Sequence, residues 1–77
     1  MIYIDVRTKP EYDMGHKDGA INHDIMDMMS GVFPELSKET EIILYCESGN
    51  RSMMAQTMMQ NAGFINVTNG GSFTDVI

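Results

Sequence analysis

A single cysteine, Cys46, follows the unbroken apolar run 42–45 and precedes a short loop that contains Gly49. Such a run is typical of a strand that is buried on both faces of a parallel sheet. Arg51 and Ser52 then begin a segment with helical spacing, so the thiol is expected between the end of a strand and the start of a helix. Unpaired backbone N–H groups and the positive end of a helix dipole favour a thiolate there. The pattern therefore predicts a cysteine nucleophile.

Transfer of sulfane sulfur is a reaction that such a thiolate can perform, by attacking a polarised sulfur, holding it as a persulfide and yielding it to an acceptor. The persulfide is an anion, and backbone N–H groups curled round Cys46 are expected to bind it. Arg51 is a candidate for holding the sulfonate of thiosulfate or the anion in transit. We therefore predict Cys46 as the catalytic residue. The predicted substrate-binding loop consists of Glu47, Ser48, Gly49, Asn50, Arg51 and Ser52.

Three charged residues are expected close to the predicted site: Glu47 in the loop, and Asp5 and Arg7 at the end of the first strand. Glu47 is interpreted as a solvated loop residue rather than a catalytic base, because a sulfur nucleophile with a lowered pKa needs no base. Its charge beside the thiolate would raise the pKa of the cysteine and repel thiosulfate. Asp5 and Arg7 end the first strand and are interpreted as parts of an internal ion pair rather than a catalytic pair, with Asp5 kept as a candidate for the pocket floor. Arg7 is expected to pair with Glu11 and so to clamp the first strand to the first helix.

Length and composition exclude several classes of protein. Seventy-seven residues predict one small domain, 1–77, and 43% hydrophobic with 21% charged residues is typical of a globular protein. A net charge of −6 argues against nucleic acid or an anionic membrane as partner, and one cysteine cannot form an internal disulfide. His16 and His23 have no ligand cluster around them, so no metal site is predicted, and His16 is expected to be structural. We expect a cytoplasmic monomer; a removed signal peptide would instead allow a periplasmic one.

The remaining pattern predicts the elements that position the loop. Strands are expected over residues 1–6, 42–46 and 65–68, with a short extended piece at 20–22, a turn at 69–71 and no assignment for 72–77. Helices are expected over about 10–14, from 25 to near 30–31, and over about 51–61, the first two capped by Thr8 and Asp24. The last helix should bury an apolar stripe of Met54, Ala55, Met58, Met59 and Ala62. This order predicts an α/β fold with a small parallel sheet and helices on both faces.

Several short motifs follow one another along the chain: Asp5-Val6-Arg7, Glu11-Tyr12, Gly15-His16, Gly19-Ala20-Ile21-Asn22, Tyr45 to Ser52, Ala62-Gly63-Phe64, Asn66-Val67 and Gly70-Gly71. Their order resembles the rhodanese domain, the fold of thiosulfate and mercaptopyruvate sulfurtransferases. Lys17 replaces a usually apolar residue, and a usual tryptophan and further helix are missing after the paired glycines, which suggests a minimal or truncated example. The resemblance implies transfer of sulfur from thiosulfate or a related donor to cyanide or a thiol through a Cys46 persulfide, without metal or organic cofactor.

Two other functions stay open at this level. Cysteine phosphatases and arsenate reductases share the strand–loop–helix arrangement, but the phosphatase loop is one residue longer than the segment from Cys46 to Arg51, which suits a sulfur atom better than phosphate. A non-catalytic rhodanese-like interaction module stays open because of Glu47 and the short C-terminal end, although the retained cysteine and glycine argue against it. The partners expected for the favoured function are a small anionic sulfur donor and a thiophilic acceptor, either a protein thiol or a small molecule.

Overall fold

The computed structural model describes residues 1–77 as one four-stranded sheet with four helices. Along the sheet the strands lie in the order β2-β1-β3-β4, and all neighbouring pairs are parallel. The predicted α/β class is therefore confirmed. None of the helices combines the length and apolar character needed to cross a lipid bilayer. The elements are β1 (Ile2–Asp5), α1 (Lys9–Asp13), β2 (Ile21–Asn22), α2 (Ile25–Met29), β3 (Ile42–Cys46), α3 (Asn50–Asn61), β4 (Val67–Ser72) and α4 (Phe73–Val76).

The main core lies between one face of the sheet and helices α2 and α3. Alternate residues of β3 point to this face because successive side chains of a strand point to opposite sides. On α3, Ala55 and Met59 are fully buried, as the predicted stripe requires, whereas the prediction is wrong for Met54, which is 51% exposed. The buried residues that form this core are Ile4, Val6, Ile25, Met28, Ile42, Leu44, Cys46, Ala55, Met59, Phe64 and Val67.

The other face of the sheet is covered in part by α4. The ring of Phe73 stacks on that of Tyr45 with centroids 5.9 Å apart. A Cβ added at Gly70 would lie 2.8 Å from a methyl group of Ile43 and 2.9 Å from one of Val76. The close approach of α4 to the sheet therefore depends on a residue without a side chain at position 70. Helices thus lie on both faces, as predicted.

The C-terminal part of the chain differs from the prediction. Residues 69–71 form part of β4 instead of a turn, and residues 72–77, left unassigned, contain α4. The glycine pair is compatible with a strand because the register shifts at this point, where Leu44 pairs with Asn69 but Tyr45 pairs with Gly71. Such a bulge accommodates one extra residue, and the positive φ of 96° at Gly71 suits it. Parallel pairing with β3 therefore overrides the local turn preference.

Candidate active site

The thiol of Cys46 lies at the end of β3 and is fully buried, beneath the loop that leads into α3. Burial by itself raises the pKa of this thiol, but the polar groups of Ser52, Ser48 and Gly49 around the sulfur lower it by more. The net pKa lies below the usual value of a cysteine thiol. The N–H of Gly49 donates a hydrogen bond to the sulfur, with its nitrogen 2.9 Å from Sγ. A thiol in these surroundings is enriched in its nucleophilic form.

Gly49 shapes the loop through its backbone. It has a left-handed φ of 94° and precedes α3 without a side-chain cap. A Cβ at this position would lie 3.4 Å from the Cα of Gly71 in β4. The backbone of the loop therefore approaches that of β4 closely at Gly49, which together with the left-handed φ explains the need for glycine at this position.

The underside of the loop contacts a residue that the sequence analysis missed. Asn69, assigned there to a turn, projects from β4 and accepts a hydrogen bond from the hydroxyl of Ser52 at 2.7 Å. Its amide nitrogen also donates to the carbonyl oxygen of Gly49 at 3.3 Å. Asparagine before paired glycines is a common turn signal, so only the register of β4 shows that this side chain reaches the loop.

Arg51 lies in the first turn of α3, and its guanidinium binds Glu11 of α1 with two hydrogen bonds of 2.8 and 2.9 Å. The expected pair between Glu11 and Arg7 is therefore wrong, because α1 presents Glu11 to α3. The hydrogen bonds from Arg51 lower the pKa of Glu11 and outweigh desolvation, which raises it. The resulting pKa is about 2. Two nitrogen atoms of Arg51 are occupied by this pair, and its role in anion binding stays a prediction.

Replacement of Glu11 with glutamine is expected to lower the free energy of unfolding by about 1 kcal/mol at pH 7, a small value because the pair is about one-third exposed and screened by solvent. The pKa of Glu11 is lower in the folded state than the value of about 4.3 in the unfolded chain. The stabilisation is therefore present above the unfolded value and is lost as the pH falls towards 2. Urea unfolding of both proteins between pH 7 and 2 measures the difference.

Glu35→Gln is the matched control, because Glu35 is exposed and the same charge is removed without breaking an ion pair. Its effect should stay close to zero over this range. A deficit of Glu11→Gln that persists unchanged at pH 2 would contradict the assignment of the stabilisation to the ionised carboxylate.

Arg7 and Asp5 form an internal ion pair, consistent with the prediction. The guanidinium binds both carboxylate oxygens at 2.7 to 3.0 Å, and the two side chains are 5% and 0% exposed. The same guanidinium donates to the carbonyl oxygen of Gly15 at 2.7 Å and lies 4.7 Å from the ring centroid of Phe73. Hydrogen bonding to Asp5 raises the pKa of Arg7. Arg7 therefore joins β1 to the turn after α1 and to α4, in place of the expected contact with Glu11.

The remaining loop residues point towards solvent. Glu47 has a side chain that is 63% exposed, in accord with its interpretation as a solvated residue, and a carboxylate oxygen 3.4 Å from Arg7. Its charge is therefore partly offset by a guanidinium that Asp5 already binds. Ser48 and Asn50 are exposed, so their contribution to a site would come through the backbone.

The two histidines lie outside the loop. The ring of His16 stacks on Tyr12 with centroids 3.6 Å apart, and its Nδ1 lies 2.8 Å from the Tyr12 carbonyl oxygen, in accord with a structural role. No three side chains of His, Cys, Asp and Glu lie together in a way that could hold a metal ion. A surface pocket borders His16, Lys17, Asp18 and Ile77 and includes none of the predicted site residues.

Comparisons with known proteins agree with this arrangement. A family model described as "Rhodanese-like domain" matches residues 1–74. The chain is 39% identical to senescence-associated protein DIN1 of Raphanus sativus and 37% identical to chloroplastic thiosulfate sulfurtransferase 16 of Arabidopsis thaliana, over 86% and 84% of its length. It spans only 42% and 63% of those two proteins. A solved structure, "rhodanese with anions from E. coli", superposes with a TM-score of 0.82 at 28% identity, over 97% of this chain and 89% of that one.

Proposed function

The chain belongs to the rhodanese-like domain family, and we propose that it is a sulfurtransferase that uses a persulfide on Cys46. The proposed reaction moves sulfane sulfur from thiosulfate or a related donor to cyanide or a thiol. The observation that carries the proposal is the thiol at the strand–helix junction, with the Gly49 nitrogen 2.9 Å from its sulfur and a lowered pKa. A relative named as a thiosulfate sulfurtransferase supports the same chemistry.

Each step of the proposed reaction conserves atoms and electron pairs. The thiolate of Cys46 attacks the outer sulfur of thiosulfate, the bond between the two sulfur atoms breaks, and sulfite leaves with the electron pair. The resulting persulfide bears one negative charge, and the backbone N–H groups of the loop offset it. Cyanide or a thiolate then attacks the terminal sulfur, and the Cys46 thiolate leaves with the electrons of the second bond. No base is required, because a thiol with a lowered pKa is already partly ionised.

The intact mass of the protein after incubation with thiosulfate tests the proposal. We expect a gain of one sulfur atom that cyanide removes, and no gain in Cys46→Ser, which lacks the only thiol. Absence of the gain in a folded protein with a free thiol would contradict the proposal.

A non-catalytic interaction module is the second candidate, and the full burial of Cys46 is the observation that favours it. Buried structural cysteines are inert, and a donor must pass the loop to reach this sulfur. The mass measurement separates the two functions, because a binding module would gain no sulfur. A phosphatase has less support, since the loop has four residues between Cys46 and Arg51, one fewer than the phosphatase loop. Turnover of p-nitrophenyl phosphate would favour the phosphatase function instead.

We propose further that the protein acts as a monomer, without metal or organic cofactor, nucleic acid or membrane. Its partners would be a small anionic sulfur donor and a protein or small-molecule thiol. We also propose a cytoplasmic location. The net charge of −6 supports the proposed lack of affinity for nucleic acid.

Replacement of Glu47 with arginine is expected to raise kcat/KM for thiosulfate about tenfold at low ionic strength, because a repulsive charge beside the thiol becomes an attractive one. Steady-state assays with thiosulfate and cyanide measure this change. The gain should shrink with added salt, since the side chain is exposed and screening is effective. Glu47→Gln, which removes the charge without adding one, should give an intermediate gain. Unchanged or lower efficiency of Glu47→Arg at low salt would contradict the electrostatic explanation.

A further inference from the structure

Asn69 of β4 holds the active-site loop through both ends of its side-chain amide. The oxygen accepts from the hydroxyl of Ser52 at 2.7 Å and from the backbone N–H of Gly71 at 2.9 Å. The nitrogen donates to the carbonyl oxygen of Gly49 at 3.3 Å. These three contacts fix which way the amide points, because its oxygen has two donors facing it and its nitrogen faces an acceptor.

The two loop residues that Asn69 contacts, Gly49 and Ser52, are among those whose polar groups lower the pKa of the Cys46 thiol. Gly49 donates its N–H to Sγ and offers its carbonyl oxygen to Asn69, so the amide restrains the residue from the other side. Ser52 is fully buried, and its single hydroxyl proton has Asn69 as its nearest acceptor, with the carbonyl oxygen of Gly49 at 3.0 Å as the next. Glycine adopts positive and negative φ about equally well, so the conformation of Gly49 depends on contacts such as these.

We propose that Asn69 is a positioning residue that holds Gly49 and Ser52 in the loop conformation that binds the Cys46 thiolate and its persulfide. The inference rests on the proposed sulfurtransferase function and adds a residue outside the loop to it. Asn69 does not touch the sulfur or a donor. It acts by keeping the N–H of Gly49 aimed at Sγ, and without it the loop relaxes and the thiolate loses a donor.

The charged groups round the thiol are Arg51 of α3 with Glu11 of α1, Arg7 and Asp5 of β1, and Glu47 of the loop. Asp75 of α4 contacts Ser72. None of these side chains forms a hydrogen bond with Asn69. Replacement of Asn69 with alanine therefore leaves the charges in place, and a change in the ionisation of the thiol reports on the loop.

The test is the pKa of Cys46, measured from the pH dependence of alkylation by iodoacetamide in folded protein. Asn69→Ala is expected to raise this pKa by about one unit, which reduces the thiolate fraction about tenfold at a pH below it. Asn69→Leu keeps a side chain of similar size without a donor, an acceptor or a charge, so it should raise the pKa as well. The shift should be smaller when Asn69→Ala is made in a Ser52→Ala background, because the two residues act together.

Gln56→Ala is the matched control, since this amide also joins α3 to β4, through a 3.0 Å hydrogen bond to the carbonyl oxygen of Val67. It should lower stability by a similar amount without moving the thiol pKa. A shift in Asn69→Ala no larger than in Gln56→Ala would overturn the proposal. A fall in pKa would also overturn it, because Asn69 would then draw the Ser52 proton away from the sulfur.

Alkylation requires no sulfur transfer, so the inference and the proposed function can fail separately. If the unchanged protein gains sulfur from thiosulfate but its thiol pKa does not respond to Asn69→Ala, the positioning role is wrong and the function stands. If the pKa shifts as expected but no sulfur is gained, Asn69 holds the loop and the sulfurtransferase proposal is wrong.

Discussion

Replacement of Arg7 with methionine is expected to lower the free energy of unfolding by about 3–5 kcal/mol, enough to unfold a large share of a domain this small. Asp5 is completely buried and receives three hydrogen bonds from the Arg7 side chain. Methionine fills much of the same volume but leaves the carboxylate in the interior without its counter-charge. It also leaves the carbonyl oxygen of Gly15 without the guanidinium donor. Both losses occur where water cannot easily replace the missing partner.

Urea unfolding of the purified variants measures this effect, with two controls. Lys9→Met removes an exposed ion pair with Asp13, whose side chains are 76% and 55% exposed, and should cost no more than about 0.5 kcal/mol. The double change Asp5→Asn with Arg7→Met should be more stable than Arg7→Met alone, because it removes the unpaired charge. A loss in Arg7→Met as small as that in Lys9→Met would show that the buried pair contributes little to stability.

Replacement of Gly49 with alanine is expected to reduce the rate of persulfide formation by roughly 10²–10³-fold while the domain stays folded. The left-handed φ of 94° is strained for alanine, and the added Cβ would lie in van der Waals contact with the Cα of Gly71 at 3.4 Å. The loop can relieve this strain only by moving the backbone N–H that donates to the sulfur of Cys46. Loss of one preorganised donor to a developing or resident anion accounts for the expected magnitude.

Gly31→Ala is the matched control for the backbone strain. Gly31 has a similar φ of 89°, but nothing lies within 4 Å of an added Cβ, and the residue is far from the loop in sequence and fold. Both variants should lose about 1–3 kcal/mol of stability. Only Gly49→Ala should lose activity, read by time-resolved intact mass after addition of thiosulfate. Equal rates for the two variants would contradict the role of the Gly49 N–H.

Local patterns were sufficient to predict the part of the chain that contains the reactive thiol. The apolar run before Cys46 indicates a strand and the spacing after it indicates a helix, whatever the rest of the molecule does. In the structure, β3 and α3 begin and end within one residue of the prediction. The caps at Thr8 and Asp24 are local contacts of the same kind, and both are present. Short-range geometry of this sort is encoded within a few residues.

Pairing between distant charges could not be predicted in the same way. Spacing along the chain offered Glu11 as a partner for Arg7, but the two ends of an ion pair are chosen by how elements pack. In the structure Glu11 binds Arg51, which lies forty positions later in the sequence, while Arg7 turns inward to Asp5. Several arginines and carboxylates near one site give several chemically reasonable pairings, and only the positions of α1 and α3 distinguish them.

The sequence by itself determined the α/β class and the placement of one cysteine between a strand and a helix, because periodicity and turn chemistry are local properties. The tertiary structure decided that Asn69 lies in a strand beneath the loop and that α4 packs Phe73 against Arg7 and Tyr45. Both depend on the bulged register between β3 and β4, which is set by long-range pairing rather than by neighbouring residues. The surroundings of the thiol are therefore a property of the sheet, although the thiol itself is visible in the sequence.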